Sequence, residues 1–133
     1  MRLVVGLGNP GSSYASTWHN LGFLIVDAYL KRLGASTKIR DSFEMASITV
    51  SGKEVHFFKP LTFMNRSGEA VAPFAKKNGI APDETLIIHD EIDLEMNQIK
   101  LKKGGGSAGH NGLESIFSMW GTRDFYRLRM GVG

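Results

Sequence analysis

The sequence predicts an α/β fold, one domain over residues 1–133 with a mixed central sheet flanked by helices. Three observations predict it. Short strand-like stretches alternate along the chain with stretches of helical period. The 133 residues fit one domain of ordinary size and leave little room for two. Hydrophobic residues make up 42% and charged residues 22%, near globular averages, which argues against a disordered chain.

Residues 2–6 form a short apolar strand ending in Gly6. From about Thr17 to Leu33, apolar residues at Leu21, Leu24, Ile25, Ala28 and Leu33 follow a helical period, and Gly34 supplies the stop. Met45–Val50 and Val55–Lys59 read as two strands joined by a hairpin turn at Ser51-Gly52-Lys53, and Pro60 ends the second. A helix is expected over about Ser67–Asn78. Pro73 lies inside it, so the helix either starts late or is kinked there. Thr85–His89 is a compact apolar strand, expected to be central. In Gln98–Lys102, Ile99 and Leu101 face one way and the lysines the other. A glycine-rich loop, Gly104 to Gly109, leads into a helix over about Gly112–Met119, and Tyr126–Val132 closes the chain as a strand.

The composition narrows the chemistry. Zero cysteines exclude disulfides, a thiol nucleophile and every cysteine-based metal site. No apolar run is long enough to cross a membrane. The start, Met1 to Gly6, lacks the apolar core and cleavage site of a signal peptide, so a cytoplasmic protein without membrane attachment is expected. The net charge of +3 is mild, but its distribution is uneven. Lys100, Lys102 and Lys103 cluster before the glycine run, and Arg123, Arg127 and Arg129 form a second group. Each group reads first as a solvated face; a phosphate-binding role needs something nearby that handles a polyanion.

Gly6-x-Gly8-x-x-Gly11 matches the dinucleotide fingerprint in letters, but its context does not. There the helix opens within the glycines and an acidic residue follows about 20 positions on. Here Asn9-Pro10-Gly11 makes a turn, the helix starts later, and Asp27 falls early and within it. The glycines are expected instead to let the chain turn and present Asn9 at a strand end.

His19 sits near the start of the first helix, and Asp90 directly follows Thr85–His89. Carboxyl ends of strands are where open α/β sheets build their sites. If the first strand and Thr85–His89 are neighbours, Asn9, His19 and Asp90 converge on one cleft. A histidine oriented by an aspartate is a general base suited to neutral pH. Otherwise Asp90, Glu91 and Asp93 are a polar turn. A metal site from His89, Asp90, Glu91 and Asp93 is a further reading, weakened because strand alternation sends His89 away from Asp90. Asn9, Asn65 and Asn111 are turn or cap candidates whose amides can also hold an acyl group or donate to an oxyanion.

Seven blocks then stand in order: Val5-Gly-Leu-Gly-Asn-Pro-Gly11, Tyr14, His19-Asn20, Thr62-Phe-Met-Asn-x-Ser-Gly68, His89-Asp-Glu-x-Asp93, Gly104-Gly-Gly-Ser-Ala-Gly-His-Asn-Gly112 and Arg127-Leu-Arg-x-Gly131. Across all 133 residues the chain resembles the bacterial-type peptidyl-tRNA hydrolases. The resemblance implies hydrolysis of the ester between a peptide and the 3′ ribose of tRNA, by a monomer with no metal or cofactor. It implies that His19 activates water and Asp90 orients it. Asn9, Asn65 and Asn111 would position the peptide and the water, with Asn9 also at the oxyanion. Met64 and His110 would line the substrate channel, Tyr14 would lie near the acceptor end, and Lys100, Lys102 and Arg129 would contact tRNA phosphates. Members of the family normally continue into C-terminal helices that cover part of the cleft. This sequence stops at Val132-Gly133, so those helices are expected to be lacking, with an apolar sheet face exposed. A catalytically impaired tRNA-binding fragment is the alternative that follows.

Overall fold

The computed structural model describes residues 1–11 and 18–132, with Trp18 described by its backbone alone. Strand β1 (Leu3–Gly6) is followed by a 3₁₀ turn at Trp18–Asn20 and helix α1 (Leu21–Arg32). Next come β2 (Lys38–Arg40), the hairpin β3 (Phe43–Val50) and β4 (Lys53–Pro60), a 3₁₀ turn at Met64–Arg66, and α2 (Gly68–Lys77). Then follow β5 (Thr85–Glu91), β6 (Ile99–Lys103), α3 (Asn111–Trp120) and β7 (Tyr126–Gly131). The seven strands lie in one sheet in the order β2-β3-β4-β1-β5-β7-β6. The pairs β1/β4, β1/β5 and β5/β7 are parallel, and β2/β3, β3/β4 and β6/β7 antiparallel, so the sheet is mixed as the sequence predicts.

Alternation along the inner strands divides the core between two faces. Leu3, Val5, Phe58 and Ile87 pack with Val71 and Ala75 of α2 and with Leu113 and Ile116 of α3. Val4, Phe57 and Ile88 face the other way, against Val26 and Leu30 of α1. Strands covered on both faces need apolar residues at successive positions, which explains the unbroken Leu3-Val4-Val5 and Leu86-Ile87-Ile88. On the α1 face, α1 packs on β1, β4 and β5. Leu101 pairs with Leu128, which pairs with Ile88, so β6 shows its apolar residues on that face. Ile99 and Leu101 stand 59% and 64% exposed there.

The hairpin turn is tighter than the sequence suggests. Val50 pairs with Lys53, and Ser51 and Gly52 turn at φ 51° and 79°, the double positive φ of a two-residue turn that matches strand twist. Gly6 and Gly22 have a different task. A Cβ on Gly6 would lie 2.2 Å from the Gly22 carbonyl oxygen, and one on Gly22 would lie 2.3 Å from the Leu7 nitrogen. Their absence of side chains lets the start of α1 press onto the end of β1, which brings His19 to the strand tips. The first glycine of the fingerprint-like run thus serves helix packing, while Gly11 makes the turn at φ 107°.

Three elements differ from expectation. Strand β2, absent from the sequence reading, is three exposed residues at the sheet edge, too short to show a period. Helix α1 begins at Leu21, so His19 stands in the preceding 3₁₀ turn. Helix α2 does not start late: it runs from Gly68 with Pro73 in its interior. The missing Pro73 N–H forfeits one helical bond, offset by burial of Val71, Ala72 and Ala75 around it.

Candidate active site

Because β1 and β5 are parallel neighbours, their carboxyl ends lie side by side, and the close approach of α1 adds the third side of a cleft. The cleft has a volume of about 180 Å³ and is lined by His19, Asp90, Glu91, Ile92, Gly109 and His110 among others. His19 Nδ1 lies 2.8 Å from Asp90 Oδ2, with the imidazole about half exposed and the carboxylate 5% exposed. An Nδ1–H donated to Asp90 leaves the His19 Nε2 lone pair as the ring's basic position.

Asp90 holds a second histidine. His110 Nε2 lies 2.9 Å from Asp90 Oδ1, and His110 Nδ1 accepts from the Gly112 and Leu113 amides at 3.1 and 3.3 Å. His110 therefore N-caps α3 with its ring while reaching Asp90 with the ring's other nitrogen. Burial alone would raise the Asp90 carboxyl, but the hydrogen bonds from His110 and His19 outweigh it and hold the group at about 2.

The amide side of the site is built from backbone. Asn9 Oδ1 accepts from the Met64 N–H at 2.5 Å, so the Asn9 amide nitrogen remains as a donor. Phe63 precedes Met64 at φ 66°, a strained conformation for a bulky residue, in the turn that presents that N–H. Asn20 clamps Asn9 from below: its Oδ1 accepts from Asn9 N at 2.8 Å and its Nδ2 donates to Asn9 O at 3.0 Å. The sequence reading gave Asn20 no role, although its place beside His19 was the available signal. Met64 is buried, whereas Asn65 and Asn111 are exposed at the turn after Met64 and at the first residue of α3. Tyr14 lies outside the described residues.

Behind the cleft, on the other face of β5, lies a cluster that the sequence did not announce. Arg127 is 1% exposed, which corrects its assignment to a solvated face with Arg123 and Arg129. Its Nε donates to His89 Nε2 at 3.2 Å, and its Nη1 donates to the Gly104 and Gly106 carbonyls at 3.0 and 2.7 Å. Glu91 Oε1 lies 3.8 Å from its Nη2. The strand between β5 and β6 is interior, so an arginine there must find its acceptors within the protein. It finds them in the glycine loop, fixing the chain that leads to His110. Burial first of all drives His89 down to about 3. Lys100 and Lys102 are exposed on β6, opposite Arg129 and Arg127, and Arg129 keeps a buried Nε with no partner among the described residues.

The metal reading of His89–Asp93 finds no support in this geometry. His89 Nδ1 bonds the Asp90 carbonyl and its Nε2 accepts from Arg127, so neither nitrogen is open to a cation. His19, Asp90 and His110 do bring donor atoms within 4.8 Å of one another. With His110 Nδ1 accepting from two amides, however, Nε2 carries the hydrogen, and a cation would find two ligands, fewer than metal sites ordinarily use.

Fold and site together define a mixed-sheet α/β protein equipped for general base catalysis by a carboxylate-oriented imidazole at the strand tips. The comparisons narrow that class. The family model for peptidyl-tRNA hydrolase matches residues 3–133. Peptidyl-tRNA hydrolases of Mycobacterium bovis and Mycobacterium marinum are each 48% identical over 133 residues, covering 98% of this chain and 70% of the relative. A crystal structure of the Acinetobacter baumannii peptidyl-tRNA hydrolase superposes with a TM-score of 0.92 at 42% identity, covering all of this chain and 68% of that one. The chain belongs to the peptidyl-tRNA hydrolase family.

Proposed function

We propose that this chain hydrolyses the ester joining a peptide to the 3′ ribose of tRNA, with His19 as the general base. The observation that carries the reading is the His19–Asp90 contact at 2.8 Å, at a half-exposed imidazole in a cleft. Asp90 accepts the Nδ1–H, so Nε2 faces the reaction as the base and the aspartate stabilises the imidazolium that forms. A water gives its proton to Nε2 as its oxygen bonds to the acyl carbon. When the carbon–oxygen bond to the ribose breaks, the same proton passes to the 3′ oxygen. The Asn9 amide, with its oxygen already held by the Met64 N–H, is oriented to donate to the oxyanion, an effect worth about 100- to 1000-fold.

To Asn65 and Asn111 we assign the positioning of the peptide, to Met64 and His110 the lining of the substrate channel, and to Tyr14 the acceptor end. Lys100, Lys102 and Arg129 contact phosphates, a reading supported by the exposed lysine row on β6 and by Arg129 paired opposite Lys100. The protein acts as a cytoplasmic monomer without a metal. Among the described residues, no helix is long and apolar enough to cross a membrane.

Cleavage of peptidyl-tRNA by the purified protein, with and without excess chelator, tests the reading. Turnover is expected in both, and His19→Ala is expected to keep tRNA binding while losing about 10²–10⁴-fold in rate. Near-normal hydrolysis by that variant sinks the assignment of the base. Binding without cleavage by the unaltered chain would replace the enzyme with a tRNA-binding module.

A further inference from the structure

We infer that His110 is a positioning residue for the reaction, acting through Asp90, with its tautomer fixed by the N-terminus of α3. The inference rests on the proposed role of His19 and assigns to His110 more than a place along the channel.

The two ring nitrogens of His110 have different and exclusive duties. Nδ1 faces the Gly112 and Leu113 amides, both donors, at 3.1 and 3.3 Å. It must accept, so in a neutral ring the hydrogen resides on Nε2. Nε2 in turn faces Asp90 Oδ1 at 2.9 Å and donates to it. The first turn of a helix always presents such unpaired amides, and they fix which imidazole nitrogen carries hydrogen. Asp90 then has one oxygen committed to His110, and its other oxygen is aimed at His19 Nδ1, 2.8 Å away. An N–H from each side fixes the carboxylate plane and forces the His19 hydrogen onto Nδ1, which leaves Nε2 as the base.

The surroundings keep this arrangement in register. His110 is 8% exposed, its ring lies edge-on to His19 at 5.5 Å and to His89 at 5.1 Å, and a Cβ on Gly112 would come within 2.9 Å of it. The hydrogen bond from His110 is also the leading influence lowering the Asp90 carboxyl, ahead of that from His19. Among the described residues, the titratable groups lining the cleft around His19 are Asp90 and Glu91 from β5 and His110 from the start of α3.

His110→Asn separates the two duties, because an asparagine oxygen still caps α3 but the shorter side chain cannot reach Asp90. The variant is expected to fold, with a urea midpoint lowered by the loss of the buried bond to Asp90 but a single cooperative transition. Its kcat should fall about 10- to 100-fold, as suits loss of one hydrogen bond to a charged group, with KM changed less than about twofold. The acid limb of kcat/KM against pH should move to higher pH, since Asp90 then shares its charge with His19 alone. A raised KM with unchanged kcat would make His110 a channel lining only and overturn the inference. So would an unshifted limb. A second measurement needs no variant: nitrogen-15 NMR of the unaltered protein should show His110 with hydrogen on Nε2 and a bare Nδ1. The opposite tautomer overturns the inference, and in neither case does wild-type ester cleavage change.

Discussion

His19 and His89 flank the carboxyl end of β5 from opposite sides, and they differ in what their nitrogens have left to give. His19 spends one nitrogen on Asp90, stands half exposed and keeps the other nitrogen for the cleft. His89 is 1% exposed and spends both, one on the Asp90 carbonyl and one on Arg127. The same side chain is a base on one face and a structural acceptor on the other. Burial and the count of committed donors and acceptors decide which, and proximity to the site does not: His89 and Asp90 are chain neighbours.

The contrast can be broken most severely at Asp90. An Asp90→Asn amide has one acceptor oxygen for two imidazole N–H groups, and His110 cannot give way without uncapping α3. His19 would reverse its tautomer, and a loss of about 10³–10⁴-fold in kcat with folding retained is expected, measured by single-turnover cleavage. Next comes Arg127→Met, which strips acceptors His89, Glu91 and the glycine loop of their shared donor. Breaking a buried ion pair costs about 3–5 kcal/mol, read as a lower urea midpoint at unchanged slope.

The third test is acid. His89 sits at about 3 in the folded protein against about 6.5 unfolded, so below pH 6.5 the unfolded chain binds the extra proton. Stability should therefore fall as pH drops from 6.5 towards 3, by roughly 2 kcal/mol between pH 6.5 and 5 from this group. His89→Gln retains an acceptor for Arg127 and should flatten that slope in urea titrations at each pH. A slope left unchanged would mean that His89 is protonated in the native state. The smallest effect is expected at Arg129, on the same strand face as Arg127 but half-buried. Arg129→Ala should change the unfolding free energy by no more than about 0.5 kcal/mol, yet reduce the salt slope of tRNA binding by about one.

Much of the frame was legible in the sequence. Short apolar runs gave β1, β4 and β5, helical periods gave α1 and α3, and Asn9, His19 and Asp90 could be placed on one cleft if β1 and β5 were neighbours. Their parallel pairing meets that condition. What was missed has a common cause. Arg127 looked solvated because a period of two tells which face a residue takes, but not whether another strand and a loop will close over that face. Asn20 and the double role of His110 depend on partners 11 and 20 positions away in the chain.

The sequence by itself determined the α/β class, the family and the residue types available for chemistry, because periodicity and motif order are local properties. Tertiary structure alone decided which nitrogen of each histidine carries hydrogen, and which arginine is sealed inside. Those outcomes follow from strand order and helix docking, which set the donors and acceptors that each ring and guanidinium meets once water is gone.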